Sequence, residues 1–338
     1  MKGGEVSNQS RAGNGRTVFD VAQYAGVSIA TVSRALSGNR PVSDELRRRV
    51  ESAAEELGYQ VNLVGRALRQ KKTSSVGLII PDLENPFFSS LAQRISRRFR
   101  VSQVDVLVAS ADNDQSQELR AVQSFLGRQV DALVMIPTDE ADSIHSLKLA
   151  SESVPTIQFD RRVPDVSVPF IGVHNVAGMG LIHDYIRQNI DIVRQPVILV
   201  GGGDSSSSGR ERSAAFSAAG DLDEQLEGSF SFQWGQEAAK QILRLGYKRA
   251  TIVAAADVIA LGVMSWLLSS GYQIPEAFRI IGFDDVGVSY LSHPALTTVQ
   301  QPLEEMSRAV EAAIYGGGGN ESTDSQYFRP KLINRQSG

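Results

Sequence analysis

The sequence predicts an all-α helix-turn-helix domain at the N-terminus, followed by a larger two-lobed α/β body built on parallel sheets. Three observations carry this. Three short stretches with helical apolar spacing follow one another between residues 17 and 58, each bounded by a capping residue and a glycine. From Ser75 onward, short apolar runs alternate with amphipathic stretches in two successive series. Charge divides the same way: residues 1–75 hold twelve Lys/Arg against seven Asp/Glu, and the remainder 22 against 31. A basic head on an acidic body suits two different partners.

The first helical stretch runs from Val18 to Ala25, with Thr17 as its cap, Val21, Ala22 and Ala25 on one face, and Gly26 at its end. Ser28 caps the second, Ile29 to Ser37, whose Val32, Ala35 and Leu36 turn toward the first, and Gly38 closes it. Ser43 caps the third, Asp44 to Leu57, which carries a stripe of Leu46, Val50, Ala53, Ala54 and Leu57 and stops at Gly58. Two short helices joined by a tight Ala-Gly-Val-Ser turn form a helix-turn-helix, a motif that sets its second helix into a DNA major groove N-terminal end first. Ser28, Thr31 and Ser33 then offer hydroxyls to phosphate oxygens. Ile29, Ala30 and Arg34 remain for base edges, the arginine for guanine and the apolar pair for thymine methyls. Thr17 and Ser43, at helix starts, complete the candidate DNA-binding set. A three-helix bundle with no nucleic-acid partner satisfies the same spacing.

The run from Thr17 to Gly38 (TVFDVAQYAGVSIATVSRALSG) resembles the N-terminal signature of the lactose-repressor (LacI) family. The resemblance implies a transcription regulator that binds a pseudo-palindromic operator in double-stranded DNA as a homodimer. It also implies that Asn62-Leu-Val-Gly-Arg-Ala-Leu-Arg69, with Lys71 and Lys72 behind it, is a hinge helix that folds against the minor groove. Leu68 would insert between base pairs, unstacking a step and kinking the duplex, with Asn62 and Arg66 at the backbone or groove edge. So short a segment is marginal as an isolated helix, and it orders on DNA. Val61 stands where the family usually has Pro, and Gly65 where it usually has Ala. Glycine inside a helix costs about 1 kcal/mol relative to Ala, so a looser hinge is expected.

In the body, Val76–Ile80, Val104–Val108, Ala132–Ile136 and Pro155–Phe159 make the first series of apolar runs, and Pro196–Val200, Arg249–Val253 and Arg279–Phe283 the second. Gln115–Arg128 and Ala177–Gln188 are examples of the helical stretches between them. Two series imply two doubly wound lobes with a ligand cleft beyond the carboxyl ends of their strands. The resemblance continues through Pro81–Phe88, Arg210–Phe216, Ile281–Asp285, Leu296–Pro302 and Asn334–Ser337, and implies a periplasmic-binding-protein-like fold with three crossovers. It further implies an effector site with Phe87 and Phe88 as an apolar wall, Phe230 stacking from the other lobe, Arg212 and Asp284 as a charged pair, and Asp160 as a further polar contact. An aromatic plate with a bidentate arginine and a carboxylate suits a sugar. From the residues alone, each Phe serves equally as core, Arg212 as a surface ion pair and Asp284 as a turn residue. Two features depart from the family. Ala256 stands where a pocket Asn is usual, and the segment between Phe216 and Phe230 is short. Gly201–Gly209 and Gly316–Gly319 read as flexible inserts, the first bordering the cleft.

The organisation expected is a disordered tail at 1–16, the helix-turn-helix domain at 17–60, a hinge or linker at 61–73, and an effector-binding, dimerising body at 74–338. The tail has no apolar core of a signal peptide, no apolar run approaches the ~20 residues of a membrane span, and a cytoplasmic place beside the nucleoid follows. The sequence has no cysteine, which rules out disulfides and thiolate metal sites. Neither a Gly-x-Ser-x-Gly elbow nor a phosphate-binding Gly-x-x-x-x-Gly-Lys loop is present, and the four histidines lack metal-ligand spacing. No catalytic residue, cofactor or metal is therefore expected. The function read is a repressor controlled by a sugar or related metabolite. Ala256 raises an alternative, a constitutive architectural DNA binder with a vestigial pocket.

Overall fold

The computed structural model describes residues 16–37, 42–59, 72–190, 195–316 and 325–338. Contacts gather the chain into two compact units, residues 1–73 and residues 74–338.

The first unit holds α1 (Val18–Ala25), α2 (Ile29–Ser37) and α3 (Asp44–Glu56). Local chemistry fixes each helix start. The Asp20 carboxylate accepts from the Thr17 backbone N–H at 2.7 Å while Thr17 Oγ1 accepts from the Asp20 N–H, a reciprocal capping box with an acidic residue at its third position. Ser28 Oγ accepts from Thr31 N–H at 3.1 Å, and Ser43 Oγ from Leu46 N–H at 3.4 Å. Gly26, at φ 63°, ends α1 in the left-handed region that a Cβ disfavours. Val21, Val32 and Val50, one from each helix, are fully buried together, and Ala22, Ala25, Ala35, Ala53 and Ala54 fill the space between them. Side chains this small let three short helices approach closely, and this shared core stabilises helices too short to persist alone.

In the second unit the first lobe is laid down as β1 (Ser75–Ile80), α4 (Pro86–Val101), β2 (Asp105–Ser110), α5 (Gln115–Gly127), β3 (Ala132–Met135), α6 (Ile144–Ser153), β4 (Thr156–Phe159) and β5 (Phe170–Val173). The second lobe follows as α7 (Asn175–Asn189), β6 (Val197–Val200), α8 (Ser207–Ala219), β7 (Glu224–Leu226), α9 (Phe232–Arg244), β8 (Ala250–Ala254), α10 (Asp257–Ser269), β9 (Phe278–Asp284) and β10 (Thr297–Gln300). The chain then returns. Helix α11 (Leu303–Tyr315) buries Leu303, Met306 and Val310 in the core of the first lobe, and β11 (Gln326–Phe328) extends that lobe's sheet beside β5. Finally β12 (Lys331–Ile333) pairs antiparallel with β10 in the second.

The sheet orders are β11-β5-β4-β3-β1-β2 and β12-β10-β9-β8-β6-β7. All pairings except β10 with β12 are parallel, for example Val76 opposite both Val106 and Ala132. Parallel strands covered by helices on both faces are apolar throughout, and β1, β3, β4, β6 and β8 are buried at every residue. In each sheet the order reverses at the first strand, β1 or β6, and a crevice opens at the carboxyl ends there. The chain crosses between lobes three times, at residues 174, 301–302 and 329–330, as the resemblance implied.

One expectation is corrected. The Gly201–Gly209 stretch is packed structure, not a flexible insert. Gly201 N–H donates to Leu226 O at 2.8 Å, and Ser206 caps α8 by accepting from Gly209 N–H at 3.2 Å. Ser206, Ser207 and Ser208 are the cap and first turn of this helix and are buried. A Cβ on Gly202 would come within 2.4 Å of the Phe230 ring, so glycine is required there by close approach. Gly38, the hinge residues 61–71 and Gly317–Gly319 lie outside the described residues.

Candidate DNA-reading and effector sites

The turn after α1 presents the N-terminal end of α2 outward. Ile29 is 45% exposed, and Ala30 and Arg34 are exposed beside it, while Val32 and Ala35 face the core. Thr31 and Ser33 are half-buried and Ser28 exposed. The Ser28 and Thr31 hydroxyls lie 2.8 Å apart. One donates to the other, so the pair keeps one hydroxyl hydrogen for an outside acceptor. Thr17 and Ser43 are exposed with their oxygens engaged as caps. Sequence reasoning passed over Phe19 and Tyr24, which are 61% and 59% exposed on α1. The Tyr24 hydroxyl donates to Glu56 Oε2 at 2.5 Å, tying α1 to α3. Asn62, Arg66 and Leu68 lie outside the described residues.

In the second unit a cleft of about 870 Å³ opens where the strands of both lobes end. Its walls include Asp82 and Asn85 after β1, Thr138 after β3, Arg161 after β4, Ser206 after β6, and Phe230 and Ser231 ahead of α9. Two cross-lobe contacts close one side: Arg210 donates to both oxygens of Glu140 at 3.0 and 2.7 Å, and Glu140 N–H donates to Ser205 O at 2.8 Å.

Arg212 and Asp284 meet as the resemblance implied, but beneath the cleft wall, at 2% and 5% exposure. Arg212 Nε donates to Asn175 Oδ1 at 2.8 Å. Its Nη1 donates to Ala255 O at 2.8 Å and lies 3.3 Å from Asp284 Oδ1. The guanidinium carbon stacks 3.8 Å from the Phe283 ring centroid. Gln301 Nε2 donates to Asp284 Oδ1 at 2.8 Å and reaches Asp160 Oδ1 at 3.5 Å. Asp160, Asp284 and Asp285 have φ of 60°, 120° and 54°. Three non-glycine residues held in this region store backbone strain, which collects at binding sites.

Phe87 and Phe88 are both buried in the first turn of α4, packed with Leu91 and Ile95 in the core of the first lobe. Neither is among the residues that line the cleft, although the Phe88 ring packs against Arg161, which does line it. Phe230 does line it. At Ala256, the residue before α10, no side chain caps the helix. Asn175, Gln301 and Asp257 were missed. The fully buried Asp257 accepts from Val286 N–H at 3.0 Å, Ser289 Oγ at 2.5 Å and Thr298 Oγ1 at 2.5 Å, pinning the loop that carries Asp284. Amides and carboxylates of this kind give no local signal, since their partners lie far along the chain.

Burial raises these carboxyls. Desolvation pushes Asp284 up to about 8 against the pull of Arg212, and Asp257 up to about 7 against its hydroxyl and N–H donors. Asp160 is raised for the same reason. A carboxyl whose folded value is raised binds its proton more tightly in the folded state. Its stabilisation is whole below the unfolded value near 4 and is lost as pH rises through the folded one. Asp114 and Glu237, lowered by hydrogen bonds, act only at or below the ordinary carboxylate range. The midpoint of thermal unfolding of the body is therefore expected to fall between pH 5.5 and 8.5, as calorimetry across roughly that interval will show. A rising midpoint contradicts the burial argument.

Fold and cleft define a two-lobed small-molecule receptor joined to a helix-turn-helix head. The family model "Bacterial regulatory proteins, lacI family" matches residues 17–62, and "Periplasmic binding proteins and sugar binding domain of LacI family" matches residues 73–330. The chain belongs to the LacI family of bacterial regulatory proteins. It is 31% identical over 336 residues to the HTH-type transcriptional regulator AscG of Escherichia coli (strain K12), across 95% of this chain and 98% of that protein. It is 30% identical over 315 residues to catabolite control protein A of Priestia megaterium, across 91% and 94%. The crystal structure of the lac repressor dimer bound to operator and the anti-inducer ONPF superposes with a TM-score of 0.83 at 26% identity, covering 96% of this chain and 99% of that one. These relatives are regulators rather than enzymes. Among the described residues no helix is long and apolar enough to cross a membrane, and no group of His, Asp and Glu is arranged to hold a metal ion.

Proposed function

We propose that this chain is a homodimeric repressor whose α2 helices read an operator and whose cleft binds a small effector of the sugar class. The observation that carries the reading is the match of both family models, head and receptor, in order along one chain. Ile29, Ala30 and Arg34 then meet base edges. Ser28, Thr31 and Ser33, with Thr17 and Ser43 at the helix starts, meet phosphates. The hinge residues Asn62, Arg66 and Leu68 contact the minor groove. In the body, Phe230 offers an aromatic face to the effector, while Arg212, Asp284 and Asp160 supply polar groups reached as the lobes part. Effector binding shifts the lobes and changes operator affinity by a coupling free energy of about 1–3 kcal/mol. No catalytic step is assigned.

The test is binding of the full chain to a genomic fragment library with and without a panel of sugars and sugar derivatives. A palindromic site whose occupancy changes with one compound supports the reading. A site indifferent to every compound favours the constitutive binder that Ala256 suggests, and absence of any specific site overturns the DNA assignment. Within the bound site, Arg34→Ala is expected to weaken binding by about 1–3 kcal/mol and to relax preference at one base pair. An unchanged preference in a competition assay removes Arg34 from the base-reading set.

A further inference from the structure

Arg210 and Glu211 are neighbours of opposite charge early in α8, and each reaches across to the first lobe. Arg210 donates from Nε and Nη2 to the two oxygens of Glu140, in the loop after β3. Glu211 Oε1 lies 3.4 Å from Arg162 Nε, in the segment after β4. Two backbone N–H groups cross beside these pairs: Glu140 N–H donates to Ser205 O and Arg162 N–H to Ser207 Oγ, both at 2.8 Å. On the second lobe all of these partners fall within residues 205–211. Glu140, Arg162, Arg210 and Glu211 stand outside the residues that line the cleft.

Each side of this junction is fixed from within its own lobe. Glu118, fully buried in α5, accepts from Thr138 N–H at 2.9 Å, Thr138 Oγ1 at 3.0 Å and Ser143 Oγ at 2.9 Å. Asp139 Oδ1 accepts from Ala141 and Asp142 N–H at 2.8 and 2.9 Å. The loop that presents Glu140 is therefore pinned at both ends. Across the rim, Ser206 caps α8, and Ser207 and Ser208 are buried. The charges between are softer, since the side chains of Arg210 and Arg162 are 47% and 38% exposed. Partly exposed ion pairs are weak and screened by salt, which suits a fastening that opens. Glu211 and Asp204 also act on Arg210. Glu211 Oε2 accepts from Asn175 Nδ2 at 2.9 Å, which joins the junction to the amide that holds Arg212.

We propose that the Glu140–Arg210 and Arg162–Glu211 pairs are an electrostatic clasp on the rim, which holds the lobes together independently of the effector and gates its passage. The four side chains are positioning residues. They set how often the lobes part, and so how fast an effector enters and leaves, without touching it. The proposal rests on the effector-sensing reading above, because the clasp governs that same cleft.

The experiment is hydrogen exchange of the full chain, resolved to single amides by electron-transfer fragmentation, at low and high salt with no effector added. It compares the parent with Arg210→Gln and Glu140→Gln. The Glu140 and Arg162 N–H groups have their acceptors in the other lobe and report closure. Thr138 N–H, bonded to Glu118, and Gly201 N–H, bonded to Leu226 O, have theirs within one lobe and report its integrity. Both cross-lobe amides are expected to exchange about two- to tenfold faster in each variant while the other two keep their rates. High salt is expected to do the same to the parent and less to the variants. Cross-lobe amides that stay protected in both variants overturn the proposal. So does acceleration of all four amides together, which makes the pair a prop of the fold instead of a clasp. Should a variant not fold, the salt dependence of the parent decides, and cross-lobe protection that salt leaves unchanged overturns the proposal. These outcomes need no effector and leave the sensing reading standing. With a compound identified by the sugar panel, stopped-flow association with Arg210→Gln is expected to be faster by a similar factor, and an unchanged rate overturns the gate. A panel in which no compound responds overturns the sensing reading and the gate with it.

Discussion

Replacing Arg212 with alanine is expected to lower the stability of the body by about 3–5 kcal/mol, because it strips the donor from three buried acceptors, on Asn175, Ala255 and Asp284, at about 1–3 kcal/mol each. Asp284 then loses its cation, and Ala255 O and Asn175 Oδ1 lose their donors in the same step. The two tryptophans of the chain, Trp234 and Trp266, lie in α9 and α10 of the second lobe. Urea unfolding followed by their fluorescence therefore reports this lobe without interference from the helical head. Arg212→Lys is expected to recover little, since an ammonium cannot reach Asn175, Ala255 and Asp284 from one fork while stacking on Phe283. A loss below about 1 kcal/mol, the scale of a surface ion pair, would mean that the pair is solvated and the site more open than described.

The second large effect is expected at Asp257. Alanine there leaves the Val286 N–H and the hydroxyls of Ser289 and Thr298 facing an empty space. Each buried donor without a partner costs about 1–3 kcal/mol, so a total of about 3–5 kcal/mol is expected. Asp257→Asn behaves differently. Its oxygen still accepts from Val286 and Ser289, and its amide donates to Thr298, whose hydroxyl can reverse. A change under about 1 kcal/mol at neutral pH is expected, with a flatter dependence of stability on pH because one raised carboxyl is gone. Urea midpoints at acidic and alkaline pH for both variants check this. An alanine variant as stable as the parent would remove Asp257 from its anchoring role.

What the sequence disclosed follows the range of the interactions involved. Thr17, Ser28 and Ser43 were legible as caps because cap and recipient lie three residues apart. The buried strands were legible because covering both faces demands unbroken apolar runs, as in Val197–Val200. By contrast β7, β11 and β12 have three residues each, partly exposed, and are strands only because a neighbour pairs with them. Arg212 and Asp284 came through family resemblance, and nothing local to either announced that they would be sealed beneath the cleft. Phe87 and Phe88 carried the same resemblance and are buried in the first turn of α4. Arg161 was overlooked because an arginine after a strand ordinarily faces water. Here it is buried, with Phe88 of one lobe and Phe230 of the other against its guanidinium.

The threefold passage of the chain between lobes bears on how the molecule is made. A ribosome finishes β1 to β5 early, yet the first lobe is incomplete at that point. The apolar side of α4 waits for Leu303, Met306 and Val310, and the edge of β5 waits for Gln326–Phe328. Those residues emerge only after the second lobe has been synthesised. Neither lobe is a contiguous stretch of chain, so neither can be cut out along the sequence as a self-sufficient folding unit. Residues 74–338 must reach their native state as one cooperative body, with the nascent first half exposed to aggregation until its closing helix arrives.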